Sequence, residues 1–507
     1  MRMDLSNLSK EELLIMVEKL SAENEEIKKK NELLEAEKRD LNIKLDKMIE
    51  KYENKLAINK KIQADRFAPK TEKCMPEEQA INEGANKKEK KPRKTPTENF
   101  INDLKELVNE VVVLDYDFEL NGVSKAKKFR DDVSYKIEMV QSSFNVVKII
   151  RPKYKDKEHF YQAQLLDPFP HSPLTPSLAA SIITMKYQLF ISLYRYSEYL
   201  KAHGLNISVY NLYHYVDRTI ELLDPLYNEL VKYLFTNSAN VIHSDETTLD
   251  VIDSEKDKCY MFVYTTSFWD NPIYIYEFSE TRKTEKLQKH LENYKGYLIS
   301  DGYGGYNFHN KVQRCFVHVR RYFNDCLKPL SEKDKSKSPA YNAIHLINKL
   351  FKYESNFREE KLTASQIKER RNSEEYLNTI KELDDYILNI EETKNTLLIK
   401  AINYYKNMRE ELYTFLEDGH IDISNNLAER TVKPFVIARK NFLFCKTADG
   451  AIATGKAFSI VQTARANGLN VELYLKYAIE SIDKVPIEDL LPWSKNLPDN
   501  LKIIIKK

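Results

Sequence analysis

Glycine is scarce in this chain, with 11 glycines among 507 residues, and no glycine-rich loop of the dinucleotide-binding type occurs. The segment most similar to a phosphate-binding loop is GAIATGKA, which starts at Gly450. It has Ala457 where such loops carry the serine or threonine that contacts the metal ion. The sequence therefore does not predict a nucleotide-binding enzyme of either class.

Cysteine is also rare, and none of the five cysteines is separated from another by two residues. A zinc site built from cysteines is therefore not expected. The odd number and wide scatter fit a reducing compartment better than a disulfide framework. No run of about 18 apolar residues predicts a membrane span, and the first residues lack the pattern of a secretory signal. We therefore expect a soluble, cytoplasmic protein with no membrane partner.

An excess of charge of one sign is absent as well. Lys and Arg number 79 and Asp and Glu number 77, so the net charge is +2. This balance excludes a histone-like polycation, but local basic patches remain compatible with it. Charged residues make up 31% of the chain, which indicates exposed helices or tails.

Residues 1–60 show a seven-residue repeat typical of a coiled coil. One seam position holds Leu13, Leu20, Ile27, Leu34, Leu41 and Met48. The companion position holds Val17, Asn24, Asn31, Lys38 and Leu45. Because buried Asn pairs disfavour other registers and higher oligomers, the pattern predicts a parallel dimer. The alternative is a single amphipathic helix that folds back on the rest of the chain.

The next regions change composition. Residues 61–98 contain KKEKKPRK beside two prolines, which predicts a basic disordered linker. A more specific interpretation is that these basic residues contact phosphates. Residues 99–160 mix a helical start with alternating, strand-like segments. Residues 161–236 read as successive helices, with breaks near 203–204 and 224–225. Residues 209–223 could be the second helix of a helix-turn-helix or part of an ordinary helical pair.

A β-β-β-α-β order is predicted within residues 237–326. The strands are ANVIHSDETTLDVI, CYMFVYTTS, PIYIYEFS and KGYLISDGY, with the helix EKLQKHLENY before the last. Residues 327–420 form a charged helical insertion, 421–482 complete the core, and 483–507 are a tail. We therefore expect an α/β ribonuclease H-like core with a helical insertion, preceded by a coiled coil and a mainly helical DNA-binding region.

Three acids stand out in this core: Asp245 within the first strand, Asp301 at the end of the fourth, and Glu429 on a later helix. A charged acid inside an apolar strand is costly unless something pairs with it. Because the first and fourth strands are neighbours in this fold, the acids can converge into an oxygen-rich site for Mg²⁺ or Mn²⁺. Taken singly, each has a plainer reading, such as a turn-forming Asp301 or a Glu429–Lys433 pair.

Several motifs together resemble those of the IS66 (TnpC-like) family of insertion-sequence transposases, of the DDE class. The segments are HSDETTLDV, GYLISDGYGGYN, CFVHVRRYF, IDISNNLAERTVKPFVIARKNFLF, TARANGLNVELYL and DLLPW. The resemblance covers nearly the whole chain. It implies that Asp245, Asp301 and Glu429 are catalytic and bind Mg²⁺ or Mn²⁺, and that DNA ends are cleaved and joined to target DNA. It further implies a homodimer or larger assembly, accessory transposition proteins and association with the nucleoid.

Basic residues near the acids are candidate DNA contacts, since Arg matches phosphate geometry and local positive charge guides the backbone. They are His318, Arg320, Arg321, Arg430, Lys433, Arg439 and Lys440. A packed His318 and a solvated helix face are the plainer readings. Tyr303 and Tyr306 could stack on a splayed base, with core packing favoured. Glu246 follows Asp245 on a strand and faces the other way, so a structural role is expected.

Two departures from the family pattern concern DNA-end recognition. The family usually carries a cysteine-rich zinc module after the linker, but residues 114–160 lack cysteine, so zinc is not expected. Ala68 stands where the family has glycine. Three alternatives to an active transposase follow: an inactive DNA-binding remnant or repressor, a ribonuclease H-like nuclease without strand transfer, and a structural coiled-coil protein that explains only the first helix.

Overall fold

The structure is a computed structural model that describes residues 10–67, 144–151, 153–155, 160–162, 167–238, 240–292, 294–391 and 393–503. The chain divides into two units, one of Met1–Ala68 with Lys153–Lys507 and one of Pro69–Pro152. The predictions for the linker after Phe67 and for most of residues 99–160 lie outside the described residues. Residues 144–151 form neither helix nor strand, although their alternating sequence predicted a strand.

The first helix, α1, is the longest and runs over Lys10–Phe67, past the predicted end at residue 60. Its seam residues Leu20, Ile27, Leu34 and Leu41 are each more than half exposed. Near its C-terminal end, Asn54 donates a hydrogen bond to the carbonyl of Lys394 and accepts one from the backbone N–H of Thr396. A helix is therefore confirmed here, while its pairing with a second copy stays a prediction.

A helical region precedes the main sheet. Its elements are the antiparallel strands β1 (Lys153–Lys155) and β2 (Phe160–Gln162), then α2 (Pro176–Tyr187), α3 (Leu193–Ala202), α4 (Val209–Leu222) and α5 (Asp224–Lys232). Ser192 and Ser208 cap α3 and α4 by accepting backbone hydrogen bonds. Gly204 has a φ of +84°, which glycine tolerates best. Both predicted helix breaks are confirmed: the first lies at 203–204, and the second, predicted near 224–225, lies at Leu223.

Five strands form the main sheet. They are β3 (Val241–Leu249), β4 (Cys259–Thr266), β5 (Tyr274–Ser279), β6 (Tyr297–Ser300) and β7 (Val312–Arg314), and α6 (Thr284–Leu291) lies between β5 and β6 in the chain. The order across the sheet is β5-β4-β3-β6-β7. Strands β3, β4 and β5 pair antiparallel, whereas β6 is parallel to β3 and β7 is parallel to β6. The predicted strands and the adjacency of the first and fourth are confirmed.

Helices make up most of the remaining chain. They are α7 (Phe316–Leu327), α8 (Glu332–Lys335), α9 (Pro339–Glu359), α10 (Ala364–Arg371), α11 (Glu374–Leu388), α12 (Thr396–Leu412), α13 (Asn426–Phe442), α14 (Ala448–Ala466) and α15 (Val471–Ser481). The fold is thus mixed α/β and mostly helical. No helix in the described part of the chain is long and apolar enough to cross a bilayer.

Helix α14 covers the edge of the sheet at β5. The hydroxyls of Ser459 and Thr463 accept hydrogen bonds from the backbone N–H groups of Tyr276 and Tyr274 at 2.8 and 2.9 Å. A Cβ at Gly455 would lie 2.6 Å from the carbonyl oxygen of Tyr276, so glycine permits this close approach. These two edge donors are therefore satisfied within the chain, which limits pairing of β5 with other strands.

The helical insertion shares one hydrophobic core with the sheet. Val241 and Ile299 of the sheet belong to the same buried cluster as Phe316, Ile347 and Tyr405 of the helices. An insertion that packs this way is a fixed part of the fold, because separating it would expose the sheet face.

A buried ion pair supports the segment that leads to α13. Arg371 donates to both carboxylate oxygens of Glu354, at 2.9 and 2.6 Å. It also donates to the carbonyls of Phe415 and Ile421, at 2.8 and 2.9 Å. The insertion thereby fixes the chain just before the helix that carries Glu429.

Candidate active site

Two of the three predicted acids come from neighbouring parallel strands. Asp245 lies within β3, and Asp301 directly follows β6. The strands pair with His243 opposite Ile299, so continuing the register by two residues puts Asp245 opposite Asp301. Side chains at paired positions on adjacent strands project to the same face. Both carboxylates therefore lie on one face of the sheet, near the C-terminal end of β6.

The third acid, Glu429, lies in the first turn of α13. The start of this helix is fixed by Asn425, whose side-chain amide donates to the carbonyl of Ser244 at 2.7 Å. Its amide oxygen lies 3.3 Å from Nδ1 of the buried His243, and its backbone N–H donates to Sγ of Cys315. Asn425 thus ties the helix to β3 at the residue before Asp245.

The electrostatics of Asp245 reflect this convergence. Burial, then the neighbouring carboxylates of Glu246, Asp301 and Glu429, raise the pKa of Asp245 to about 8, against the smaller opposing effect of a backbone hydrogen bond from Glu246. Like charges brought together in a partly desolvated site disfavour ionisation. A bound cation would offset this effect, and carboxylate oxygens are the ligands that Mg²⁺ and Mn²⁺ prefer. The donor set therefore fits the predicted metal.

Glu246 and the two tyrosines have structural partners. Arg282 forms an ion pair with Glu246, and its guanidinium lies 3.6 Å from the centre of the Tyr303 ring. The hydroxyl of the buried Tyr306 lies 2.7 Å from that of Ser244 and donates to Glu246. The Glu246 carboxylate is therefore paired by Arg282 and Tyr306 and needs no metal ion as a partner. The same contacts favour a packing role over base stacking for both tyrosines.

Arg314, which the sequence reasoning missed, holds the loop that carries Asp301. It ends β7, and its side chain is fully buried. One guanidinium nitrogen donates to the hydroxyl of Ser300 and to the carbonyls of Asp301 and Tyr303, at 2.9, 2.7 and 3.1 Å. An arginine just before the apolar run Cys315–Val317 was a usable signal, because a buried cation needs several partners.

Comparison with known proteins gives the family. Residues 171–453, which include all three acids, match the family described as Transposase IS66 family. This chain belongs to the IS66 transposase family. Membership supports a role as a transposase and confirms the resemblance seen in the sequence.

Three relatives are uncharacterised proteins of Sinorhizobium fredii. The protein y4hP is 25% identical over 406 residues, which cover 73% of this chain and 72% of its own length. The protein y4jD is 24% identical over 396 residues, with 72% and 75% covered. The protein y4qI is 26% identical over 445 residues, with 82% and 80% covered. The similarity thus extends well beyond the matched domain.

In this IS66 member, His318 and Arg321 lie beside the third acid. Nδ1 of His318 is 3.9 Å from Oε1 of Glu429, and a guanidinium nitrogen of Arg321 is 3.6 Å from Oε2. Arg320 is directed instead toward α9, where it donates to Asn348 and lies over the ring of Phe351. The structure therefore brings two of these three basic residues to the acids.

The other basic candidates are spread along α13. Arg430, Lys433 and Lys440 are exposed. Arg439 donates to the hydroxyls of Thr247 and Thr248 at 3.2 and 3.0 Å, near the end of β3. Their contact with DNA stays a prediction.

Cys315 joins His318 and Glu429 in a cluster whose potential ligand atoms lie within 4.8 Å of one another. Burial raises the pKa of the Cys315 thiol to about 12, and its sulfur accepts a hydrogen bond from the backbone N–H of Asn425. We therefore assign Cys315 to positioning α7 against α13.

Proposed function

We propose that this IS66 family member is an active DDE transposase that cleaves the ends of its insertion sequence and transfers the 3′ strands to target DNA. Asp245, Asp301 and Glu429 would hold two Mg²⁺ or Mn²⁺ ions. The observation that carries the proposal is the convergence of these acids from three distant segments, expressed in the raised pKa of Asp245. Family membership supports the same role.

The sheet supports a ribonuclease H-like core for this reaction. Numbered by their order in the chain, the five strands run 3-2-1-4-5 across the sheet, with the first three antiparallel and the last two parallel to the first. The first and fourth strands are neighbours in this order, which supports the proposal that their acids act together.

The residues around the acids suit phosphoryl transfer. Asp245, Asp301 and Glu429 would hold the cations, which would supply activation of a water or 3′-hydroxyl and charge stabilisation for the departing oxygen. Asn425 fixes the start of the helix that presents Glu429, and Arg314 fixes the loop that presents Asp301. His318 and Arg321, beside Glu429, would contact the scissile phosphate. The exposed cations of α13 would guide the DNA backbone toward the acids.

A cleavage and joining assay tests the proposal. The substrate is DNA that flanks the gene for this chain, with Mg²⁺ or Mn²⁺ added. Asp245→Asn, Asp301→Asn and Glu429→Gln should each lower cleavage by about 10²–10³-fold or more while DNA binding persists. Glu410→Gln removes an exposed carboxylate on α12 and serves as the matched control, with cleavage unchanged.

The outcomes separate the alternatives. Normal cleavage by any one of the three variants would reject that residue as a ligand. DNA binding without cleavage, even after the products of neighbouring genes are added, would favour an inactive remnant or repressor. Metal-dependent cleavage without joined products would favour a nuclease.

A further inference from the structure

A cleft of about 420 Å³ lies between α7 and α12, and its residue Tyr404 packs against Gly302, which follows Asp301. Its lining residues are Tyr322, Thr396, Ile399, Lys400, Asn403, Tyr404 and Asn407. The volume falls within the range of about 300–1,000 Å³ that is usual for pockets holding small organic groups.

Tyr404 connects the cleft to Asp301. A Cβ at Gly302 would lie 2.5 Å from the Tyr404 hydroxyl, so the ring rests against the backbone that follows Asp301. Burial raises the pKa of Tyr404, and the nearby Cys315 and Asp301 add to the rise. The hydroxyl is buried and has no hydrogen-bond partner among the residues that the structure describes. A donor in this position calls for an acceptor from water or a ligand.

The lining has the chemistry of a nucleotide site. The rings of Tyr322 and Tyr404 have centroids 4.5 Å apart, and Nζ of Lys400 lies 5.3 Å from the Tyr322 ring. Asn403 and Asn407 supply amide donors and acceptors, and no acid is among the lining residues. Aromatic faces stack on bases, lysine matches a phosphate, and amides match base edges.

We propose that this cleft holds one unstacked nucleotide of the DNA strand that adjoins the cleaved bond. The inference rests on the proposed function, because it assumes that DNA reaches Asp301. The base would lie against Tyr322 and the phosphate near Lys400, while Tyr404 would join the cleft to the backbone that follows Asp301. The helical insertion, which supplies α12, would thereby contribute to DNA binding at the point of cleavage.

The test compares binding of protein variants to DNA that lacks single bases. All proteins carry Asp301→Asn so that the DNA stays intact, and the DNA is the duplex end of the element encoding this chain. Tyr322→Ala should weaken binding to intact DNA by about 5- to 150-fold. The same substitution should have no effect on DNA that lacks the one base bound in the cleft. Tyr322→Phe keeps the ring and should bind like the parent.

Lysine variants give a second measurement that does not depend on the Tyr322 packing. The slope of log affinity against log salt concentration reports how many phosphates the protein contacts. Lys400→Ala should reduce the magnitude of this slope by about 1, the value for one lost phosphate contact. Lys406→Ala, on an exposed position of the same helix outside the cleft, is the matched control and should keep the slope.

Two results would overturn the inference. If the Tyr322→Ala loss is absent, or is the same whichever base is missing, no base lies in the cleft while DNA binding itself remains. If the Asp301→Asn parent does not bind the element end at all, both the cleft and the proposed function fail.

Discussion

At the residue scale, one buried amide decides where the third acid lies. Asn425 joins the start of α13 to the carbonyl of Ser244, to His243 and to Cys315. Because Asn425, Ser244 and His243 are buried, removing the side-chain amide takes one polar partner from each of Ser244 and His243, while the backbone bond to Cys315 remains. The position of Glu429 relative to Asp245 therefore depends on a residue that need not touch DNA.

We predict that Asn425→Ala lowers the free energy of unfolding by about 1–3 kcal/mol and lowers the rate of DNA cleavage more than DNA affinity. Urea denaturation and single-turnover cleavage measure the two effects. Asn426→Ala, at the next residue, is the control: its side chain makes no hydrogen bond in the described part of the chain, so stability should not change. Equal stability of the two variants would contradict the role given to Asn425.

The sequence predicts the acids of this site better than the residues that hold them. Asp245 and Asp301 stand out because each interrupts or ends an apolar strand. Asn425 gives no such signal, since its partner Ser244 lies 181 residues away and only the folded chain brings them together. Arg282 gives no signal either, since its partner Glu246 lies 36 residues away along the chain.

At the element scale, periodicity predicts the strands and helices that bury an apolar face. The sheet strands and the long first helix form where the spacing of apolar residues predicts them. In the sheet these apolar residues are largely buried, and in the first helix they recur with the heptad period. The alternation over 144–150 failed as a strand signal, and these residues are largely exposed. Alternation indicates a strand only where one face is covered.

Helices α11 and α12 of the insertion are joined by a charge pair that makes stability depend on pH. Arg409 donates to both carboxylate oxygens of Asp384, at 2.7 and 3.0 Å for its Nε, and Tyr405 donates to the same carboxylate. The hydrogen bond from Arg409 is the main reason that the pKa of Asp384 lies below its usual value. A lowered pKa means that the pair stabilises the fold above about pH 4 and loses its effect as the pH falls below that value.

We therefore predict that Arg409→Met lowers the free energy of unfolding by about 1 kcal/mol at pH 7, since Arg409 is partly exposed and water screens the pair. The difference from the parent should stay constant down to about pH 4 and narrow as the pH is lowered further in urea denaturation. Arg370→Met breaks a longer, exposed pair with Glu360 and should have no measurable effect. A difference that stays constant below about pH 4 as well would contradict the assignment.

At the scale of the whole molecule, the first helix has apolar residues that its own unit leaves exposed. Leu20, Ile27 and Leu34 recur at seven-residue spacing on α1 and stay more than half exposed, while Asn54 anchors the other end of the helix near α12. A second copy of the same helix would cover this seam, with Asn24 and Asn31 favouring a two-stranded register. Dimerisation would then bring two active sites into one assembly, as joining two element ends requires.

We predict that Ile27→Lys combined with Leu34→Lys separates the dimer, because each lysine places an uncompensated charge in the seam at a cost of about 3–5 kcal/mol. Light scattering coupled to size exclusion should show the mass fall to that of one chain. Ala22→Lys combined with Ala36→Lys is the control. It adds the same charge at two exposed residues that share one heptad position outside the seam, and the mass should stay that of the dimer. An unchanged mass for the seam variant would reject pairing through this seam. An equal fall in mass for both variants would also reject it, because a buried interface should be sensitive to charge on one face of the helix only.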